Sequence, residues 1–272
     1  MIFDILTLFP EAVNSFLSSS IIGRAREKGS ITVRTWNIRD FSKDKHKKVD
    51  DYPYGGGSGM VMTPQPIHDA WLHVTNGLAH KPKTIYLSPQ GRVLTQDIAR
   101  SLLQEGHIIL LCGHYEGVDE RILEEIVDEE ISIGDYVLTG GELAAMVLVD
   151  CIGRMVDGVL ACEEAFSEES HFDGLLEYPQ YSRPPEYLGK SVPDILLSGH
   201  HVNIQKWRFE KKLERTREKR PDLYEKYRLS HPEENKVKKA KRRKDKSVMK
   251  GDVPDRAEQD NSTKEVDVHH QG

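Results

Sequence analysis

Residues 1–160 predict an α/β fold built on a parallel sheet, and two observations carry that prediction. Three short apolar runs, Thr84–Leu87, Ile108–Leu111 and Glu130–Ile133, have the length and the content of buried strands. Each run leads into a polar or glycine-containing turn, and then into a stretch with helical spacing. Parallel neighbours can be reached only through a crossover, so strands that alternate with helices point to a parallel sheet.

The elements follow in order. Met1–Leu8 is apolar and strand-like. Pro10 stands where a helix begins, because a first turn does not need its missing N–H, and Val13, Phe16 and Leu17 share one helical face. Ile31–Trp36 alternates as a strand, and a polar, glycine-rich stretch follows at 44–60. A helix starts at Thr63 through Pro64 and Pro66, with Ile67, Ala70, Trp71 and Val74 as its apolar face. Further helices fall near 95–105, 117–127 and 140–150. The last, GELAAMVLV, is apolar almost all round, so it lies either in the core or in an interface.

Beyond the sheet the pattern changes. Residues 161–190 have little periodicity and many Ser, Gly, Glu and Pro, and they read as a linker and extended segment. Pro184-Pro185 excludes a helix there. A smaller helical unit is expected over 191–230. Within it His200–Arg220 places Ile204, Trp207 and Leu213 on one side, Pro221 ends that helix, and Asp222–Leu229 forms another. Residues 231–272 are almost devoid of apolar side chains and read as a disordered charged tail.

Composition narrows the class. The 272 residues are 38% hydrophobic and 30% charged, which supplies a core and excludes wholesale disorder. No apolar run reaches the roughly 18 residues of a membrane span, so no membrane association is expected. The N-terminus has an early Asp4 and no basic stretch, unlike a secretory signal. Three cysteines without a CxxC argue against a disulfide framework or zinc site and fit a cytoplasmic location. The net charge of −6 conceals a split. Residues 1–205 carry 17 Lys+Arg against 30 Asp+Glu, whereas residues 206–246 carry 18 against 8. Such asymmetry points either to a polyanionic partner or to a solvated helix with a charged tail.

The common nucleotide signatures are absent. A GxGxxG pattern starting at Gly55 or Gly57 would need glycine where Met60 and Met62 stand. Gly189-Lys190-Ser191 ends like a P-loop, but Pro184 occupies the place of its first glycine. What remains are three loops after three apolar strands: SPQGR (88–92), CGHYEG (112–117) and SIGDYVLTGGE (132–142). Ligands of parallel α/β sheets bind at the carboxyl ends of the strands. Loops with glycines and few charges suit a neutral or zwitterionic small molecule such as a nucleoside, held by main-chain hydrogen bonds.

Longer motifs now come into view: DKHKKVDDYPYGGGSGMVMTPQP (44–66), YLSPQGR (86–92), LLCGHYEGVDERI (110–122), ISIGDYVLTGGELAAMVLVD (131–150) and GLLEYPQYSRPPEYLGKSVPDILLSGHH (174–201). In this order, and over about residues 1–228, the chain resembles the bacterial tRNA (guanine-N1)-methyltransferases. These belong to the knotted (SPOUT) class of S-adenosylmethionine-dependent RNA methyltransferases. The resemblance implies a deep trefoil knot in the sheet and an obligate homodimer with each active site between two subunits. It implies a C-terminal helical domain that grips the anticodon branch of tRNA. The implied reaction is methylation of N1 of guanosine 37, next to the anticodon, which supports reading-frame maintenance.

The same resemblance assigns residues. Tyr86, Leu87, Ser88, Pro89, Gly113, Tyr115, Glu116 and Gly117 are expected to line the cofactor pocket, with Ile133, Gly134, Asp135, Tyr136, Val137, Leu138, Gly140 and Gly141. His46, Asp50, Gly55, Gly57 and Gly59 are expected around the target guanine. Lys206, Arg208, Lys212 and Arg215 are expected to meet tRNA phosphates. Glu116 also matches a carboxylate tied to a Mg2+ site in the family, although no firm set of metal ligands is evident.

The chemistry makes its own demands. N1 of guanine carries a proton at neutral pH, so a base must remove it as the sulfonium methyl is attacked. The charge then spreads toward O6 and needs a donor. By resemblance Arg154 is that donor. The family segment before GLLEYP ends Glu-Asp-Ser, with the Asp as base; here it reads SEES, so Glu169 holds that position, with Glu168 as the neighbouring rival. Glutamate is one methylene longer, so its carboxylate must be reset to reach the same proton. Two rivals remain, a knotted methyltransferase of ribose 2′-hydroxyls and an RNA-binding module that has lost its base. Only the first reading needs the GGGSGM and GLLEYPQYSRP segments together with intact cofactor loops.

Overall fold

The computed structural model describes residues 1–160 and 168–232. Cys162 and nearly all of the segment expected as a disordered tail lie outside them. The chain divides into two compact units, Met1–Asp173 and Gly174–Gly272, so the boundary falls inside the segment expected as a linker.

The first unit is a five-stranded sheet in the order β2-β1-β6-β5-β7, parallel throughout. Its elements are β1 (Ile2–Thr7), α1 (Pro10–Leu17), α2 (Ser20–Glu27), β2 (Thr32–Asn37), a 3-10 turn (Ile38–Phe41), β3 (Asp50–Asp51), β4 (Val61–Met62) and α3 (Pro64–Thr75). They continue with β5 (Lys83–Val93), α4 (Gln96–Leu103), β6 (His107–Cys112), α5 (Glu120–Ile126), β7 (Glu129–Ser132) and α6 (Glu142–Gly153). Strand residues alternate between two cores. Phe3, Ile5, Ile85, Leu87, Ile108, Leu110 and Ile131 pack with α1, α2, α4 and α6. Leu6, Tyr86, Ile109 and Leu111 pack with α3 and α5. Burial on both faces explains why these strands are continuous apolar runs without alternation.

Apart from the short 3-10 turn and the β3–β4 pair, two elements of this unit differ from expectation. The run at 84–87 is the first half of a longer strand. β5 pairs with β7 through Leu87 opposite Ile131, leaves the ladder over 88–91, and re-pairs with Arg92 again opposite Ile131. The turn residues of SPQGR therefore form an excursion within one strand, and Pro89 in particular masks its continuation. At Gly91 the chains approach so closely that a Cβ would lie 2.4 Å from the Ile131 nitrogen. The second difference is α2 (SIIGRARE), a short helix with Gly23 inside it that lies between the helix expected from Pro10 and the strand expected at Ile31–Trp36.

One buried carboxylate ties three strands together. Asp4, fully buried on β1, accepts from Arg34 Nε (2.8 Å), Trp36 Nε1 (2.6 Å) and Arg34 Nη2 (2.5 Å), and lies 2.7 Å from His107 Nε2. Several partners are what a charge needs when water is removed. α6 buries Ala144, Ala145, Leu148, Val149 and Ile152, but Leu143 and Val147, one turn apart, stay 54% and 45% exposed.

The second unit holds a short hairpin, β8 (Glu186–Tyr187) with β9 (Lys190–Ser191), and three helices: α7 (Asp194–Leu197), α8 (His201–Lys219) and α9 (Pro221–Ser230). Its first residues are docked within the unit. Leu175 and Tyr178 are buried, Leu176 N–H donates to Thr216 Oγ1 (2.8 Å), and Arg215 Nη1 donates to the Glu177 carbonyl (3.3 Å). Two apolar residues in a polar stretch are enough to anchor it, which is why composition alone reads it as linker. No helix among the described residues is long and apolar enough to cross a membrane.

Candidate active site

β5 lies between β6 and β7, so the chain leaves it on one side and returns on the other. Connections diverge at such a point and leave a crevice at the carboxyl ends of the strands. Here it holds a cavity of about 350 Å³, lined by residues 86–90, 113–118, 130–134 and 136–141 with Glu120, Leu123 and Ala144. Every residue expected at the cofactor pocket lines it except Asp135, which is exposed in a turn closed by Tyr136 N–H donating to the Gly134 carbonyl (2.9 Å).

The three loops are held to one another. Gly141 N–H donates to the Gly113 carbonyl (2.9 Å), and His114 pairs with Gly140 in a short antiparallel bridge. A Cβ on Gly140 would lie 2.5 Å from Glu142 Oε2 and 2.7 Å from His114 Nδ1, so only glycine fits between those groups. Glu142 is fixed by Thr7 Oγ1, which donates to Oε1 (2.7 Å). His114 Nδ1 is buried and has no hydrogen-bond partner among the described residues. His114, Gln90, Ser132 and Thr139 line the cavity without having been singled out. They sit inside the motifs, but nothing in their spacing separates them from their neighbours.

The cavity wall is acidic. Glu116, Glu120 and Glu130 line it, and among the described residues no lysine or arginine does. Burial, then Glu130 and Glu120, pushes the Tyr86 phenol up to about 12, so it stays a neutral donor. Burial likewise raises the Cys112 thiol, which is inert as a nucleophile. Loop composition suits a neutral or zwitterionic ligand, and the assembled wall adds carboxylates that complement positive charge on such a ligand. Among the described residues no three His, Cys, Asp or Glu side chains gather to hold a metal ion.

Arg154 and Glu169 come together. Nη1 meets Oε2 at 2.5 Å and Nη2 meets Oε1 at 2.8 Å, a two-pronged pair in which each side chain is about one-third exposed. The guanidinium holds the Glu169 carboxyl below its ordinary value, and the carboxylate raises Arg154 in turn. Neither residue lines the cavity of its own chain.

The expected guanine loop adjoins the cofactor segment. Glu116 N–H donates to the Met60 carbonyl (3.0 Å) and Met62 N–H to the Gly117 carbonyl (2.9 Å). Gly55, Gly57 and Gly59 all have positive φ, Asp50 pairs with Met62 at the loop's base, and His46 is exposed with its N–H donating to Asp44 Oδ1 (2.7 Å).

In the second unit, the residues expected to meet phosphate divide. Lys206 is exposed. Lys212 is buried, Arg208 lies over the Tyr178 ring at 4.7 Å, and Arg215 is spent on the Glu177 carbonyl. Arg217 and Lys219, which belong to the same basic helix, are exposed. Trp207 is half-buried beside Tyr181, at 6.5 Å between centroids.

The chain is similar to known proteins over most of its length. Residues 1–226 match the family described as tRNA (Guanine-1)-methyltransferase TrmD. A tRNA (guanine-N(1)-)-methyltransferase of Ruminiclostridium cellulolyticum is 64% identical over 226 residues, covering 83% of this chain and 97% of that protein. Enzymes of the same name from Lachnospira eligens and Clostridioides difficile are 54% identical over 234 residues and 57% over 227. They cover 86% and 83% of this chain, and 99% and 98% of their own lengths.

Proposed function

The chain belongs to the tRNA (guanine-1)-methyltransferase family, and on that premise we propose that it transfers the methyl group of S-adenosylmethionine to N1 of guanosine 37 in tRNA. The observation that carries this reading is the cavity wall. Three carboxylates without a compensating lysine or arginine suit a sulfonium and an ammonium group, and they stand where strand ends bind nucleosides.

When bound, the cofactor supplies an electrophilic methyl group. The chain supplies alignment, a proton acceptor and a donor. Residues 86–90, 113–118 and 132–141 fix the cofactor, while the 52–60 loop, hydrogen-bonded to the 113–118 segment, brings the base edge to it. Glu169 takes the N1 proton and Arg154 donates to O6 as charge develops there. Their mutual pairing keeps Glu169 ionised and ready to accept, at the cost of basicity. Sharing the guanidinium with O6 loosens its hold on the carboxylate and restores that basicity.

Because the pair stands off its own chain's cavity, the reading places it at the cavity of a second copy, in a homodimer. Exposed Leu143 and Val147 on α6, the helix that ends at Arg154, support that arrangement. The excursion of β5 over 88–91 supports a knotted crossing of the chain there. Exposed Lys206, Arg217 and Lys219 support anticodon-branch contact by the second unit, and a tRNA substrate supports a cytoplasmic site of action.

The test is transfer from labelled S-adenosylmethionine to tRNA with guanosine at position 37, with tRNA carrying another base there as the comparison. Incorporation confined to the first, recovered as N1-methylguanosine, is expected. Incorporation into ribose, or tight RNA binding without transfer, overturns the reading.

A further inference from the structure

We propose that the Tyr54 ring is a stacking platform for a nucleotide next to the target guanosine, an inference that rests on the reading above. The argument begins with exposure. Tyr54 is 99% exposed, more than any other large hydrophobic side chain among the described residues, and Tyr52 is 78% exposed. A phenol ring projected wholly into water has surface to lose to a partner.

Its placement says which partner. The 52–60 loop springs from the β3–β4 pair, where Asp50 and Asp51 face Met62 and Val61. At its far end Gly59 lies against the Glu116 side chain, which lines the cavity. Four residues lie between Tyr54 and Gly59, so their Cα atoms are at most about 18 Å apart along the chain, a span on the scale of a flanking nucleotide. Arg121, on α5, is exposed and lies within electrostatic reach of the Tyr54 phenol. Exposed Lys45, Lys47 and Lys48 precede the loop in sequence, just before β3. An exposed aromatic among cations is how proteins hold single-stranded nucleic acid, the ring taking a base face and the cations the backbone.

The reaction creates the need. The target guanine must turn its N1 edge into the cavity, which takes it out of the loop stack and strips one face from a neighbour. Tyr54 restores a stacking partner to that neighbour. Because every base has a π-face, the contact tolerates any neighbouring base and sets affinity without adding sequence preference.

The experiment measures methyl transfer and binding for the full chain and for Tyr54→Ala, Tyr54→Phe and Tyr52→Ala. It uses tRNA with 2-aminopurine placed in turn at each neighbour of position 37. Tyr54→Ala is expected to raise KM for tRNA about tenfold with kcat changed less than about twofold, and to abolish the 2-aminopurine quenching that binding produces at one of the two positions. Tyr54→Phe is expected to keep both, since the ring face remains. An unchanged cofactor Kd in all variants confirms that loop and cavity are intact. The proposal is overturned if Tyr54→Ala retains KM and quenching, if Tyr54→Phe is as impaired as Tyr54→Ala, or if Tyr52→Ala alone carries the effect. A parent protein that methylates no guanosine removes the underlying reading as well, an outcome distinct from these three.

Discussion

Glu169 is the residue on which the proposed chemistry turns. Glu169→Gln keeps the shape and removes the proton acceptor, so methyl transfer is expected to be lost while cofactor binding survives; near-normal single-turnover rates would remove Glu169 from the mechanism. The pairing with Arg154 also sets a pH dependence. Because Arg154 lowers the carboxyl from its ordinary 4.5, the pair's contribution to stability is fully present above that value and is lost as pH falls through the lower, folded value. Both side chains are partly exposed, so that contribution is small. His114 makes the opposite case. Its Nδ1 is buried without a partner beside the cavity, so it contributes no hydrogen bond to the described fold and is available to a ligand. His114→Ala is expected to weaken S-adenosylmethionine binding about five- to tenfold in calorimetry, with little change in the melting temperature of the ligand-free protein. Equal losses in both would make the imidazole a packing group only.

At the scale of elements, α6 is the informative one. An apolar helix satisfied by its own core would leave no large side chain outside, yet Leu143 and Val147 stand one turn apart and half exposed. On the proposed homodimer, the unsubstituted protein is expected to sediment as a dimer and Leu143→Asp as a monomer. The substitution should also abolish transfer and leave cofactor binding within severalfold, because the cavity is built within one chain while the Arg154–Glu169 pair stands off it. A dimer that survives this substitution would place the subunit contact elsewhere. Much of the element pattern was legible in the sequence because burial on both faces writes strands as unbroken apolar runs, as at Ile108–Leu111. The second half of β5 was not, since its pairing with β7 resumes only after the turn chemistry of Ser88–Gly91 has broken the run. Nor was docking of the 174–178 strap, whose buried apolar side chains are Leu175 and Tyr178 and whose hydrogen bonds go to Thr216 and Arg215 on α8. The cofactor loops were legible as glycine-rich strand ends. The acidity of their shared cavity was not, because Glu116, Glu120 and Glu130 come from different segments and meet only after folding.

At the scale of the whole molecule, the net charge of −6 describes neither part of the chain. Acidic residues predominate through residue 205, where the cavity needs them against a cationic cofactor, and basic residues predominate over 206–246. A polyanion approaching such a molecule is drawn to one part and repelled by another, so charge orients it as well as binding it. α8 shows that counting basic residues overstates the effect, since Lys212 is buried and Arg208 and Arg215 are engaged with Tyr178 and Glu177. The outward cations Lys206, Arg217 and Lys219 remain to meet phosphate. Each phosphate contact adds about 0.7 to 0.9 to the slope of log affinity against log salt. Replacing all three by glutamine is therefore expected to lower that slope by about two to three, and to raise KM for tRNA most at low salt. kcat and cofactor affinity should stay unchanged, because none of the three lines the cavity. The Lys212→Gln variant supplies the contrast: it should leave the slope unaltered and reduce thermal stability instead. A slope that falls for Lys212→Gln and holds for the triple variant would reverse the assignment and make the packed face of α8 the one that opens to RNA.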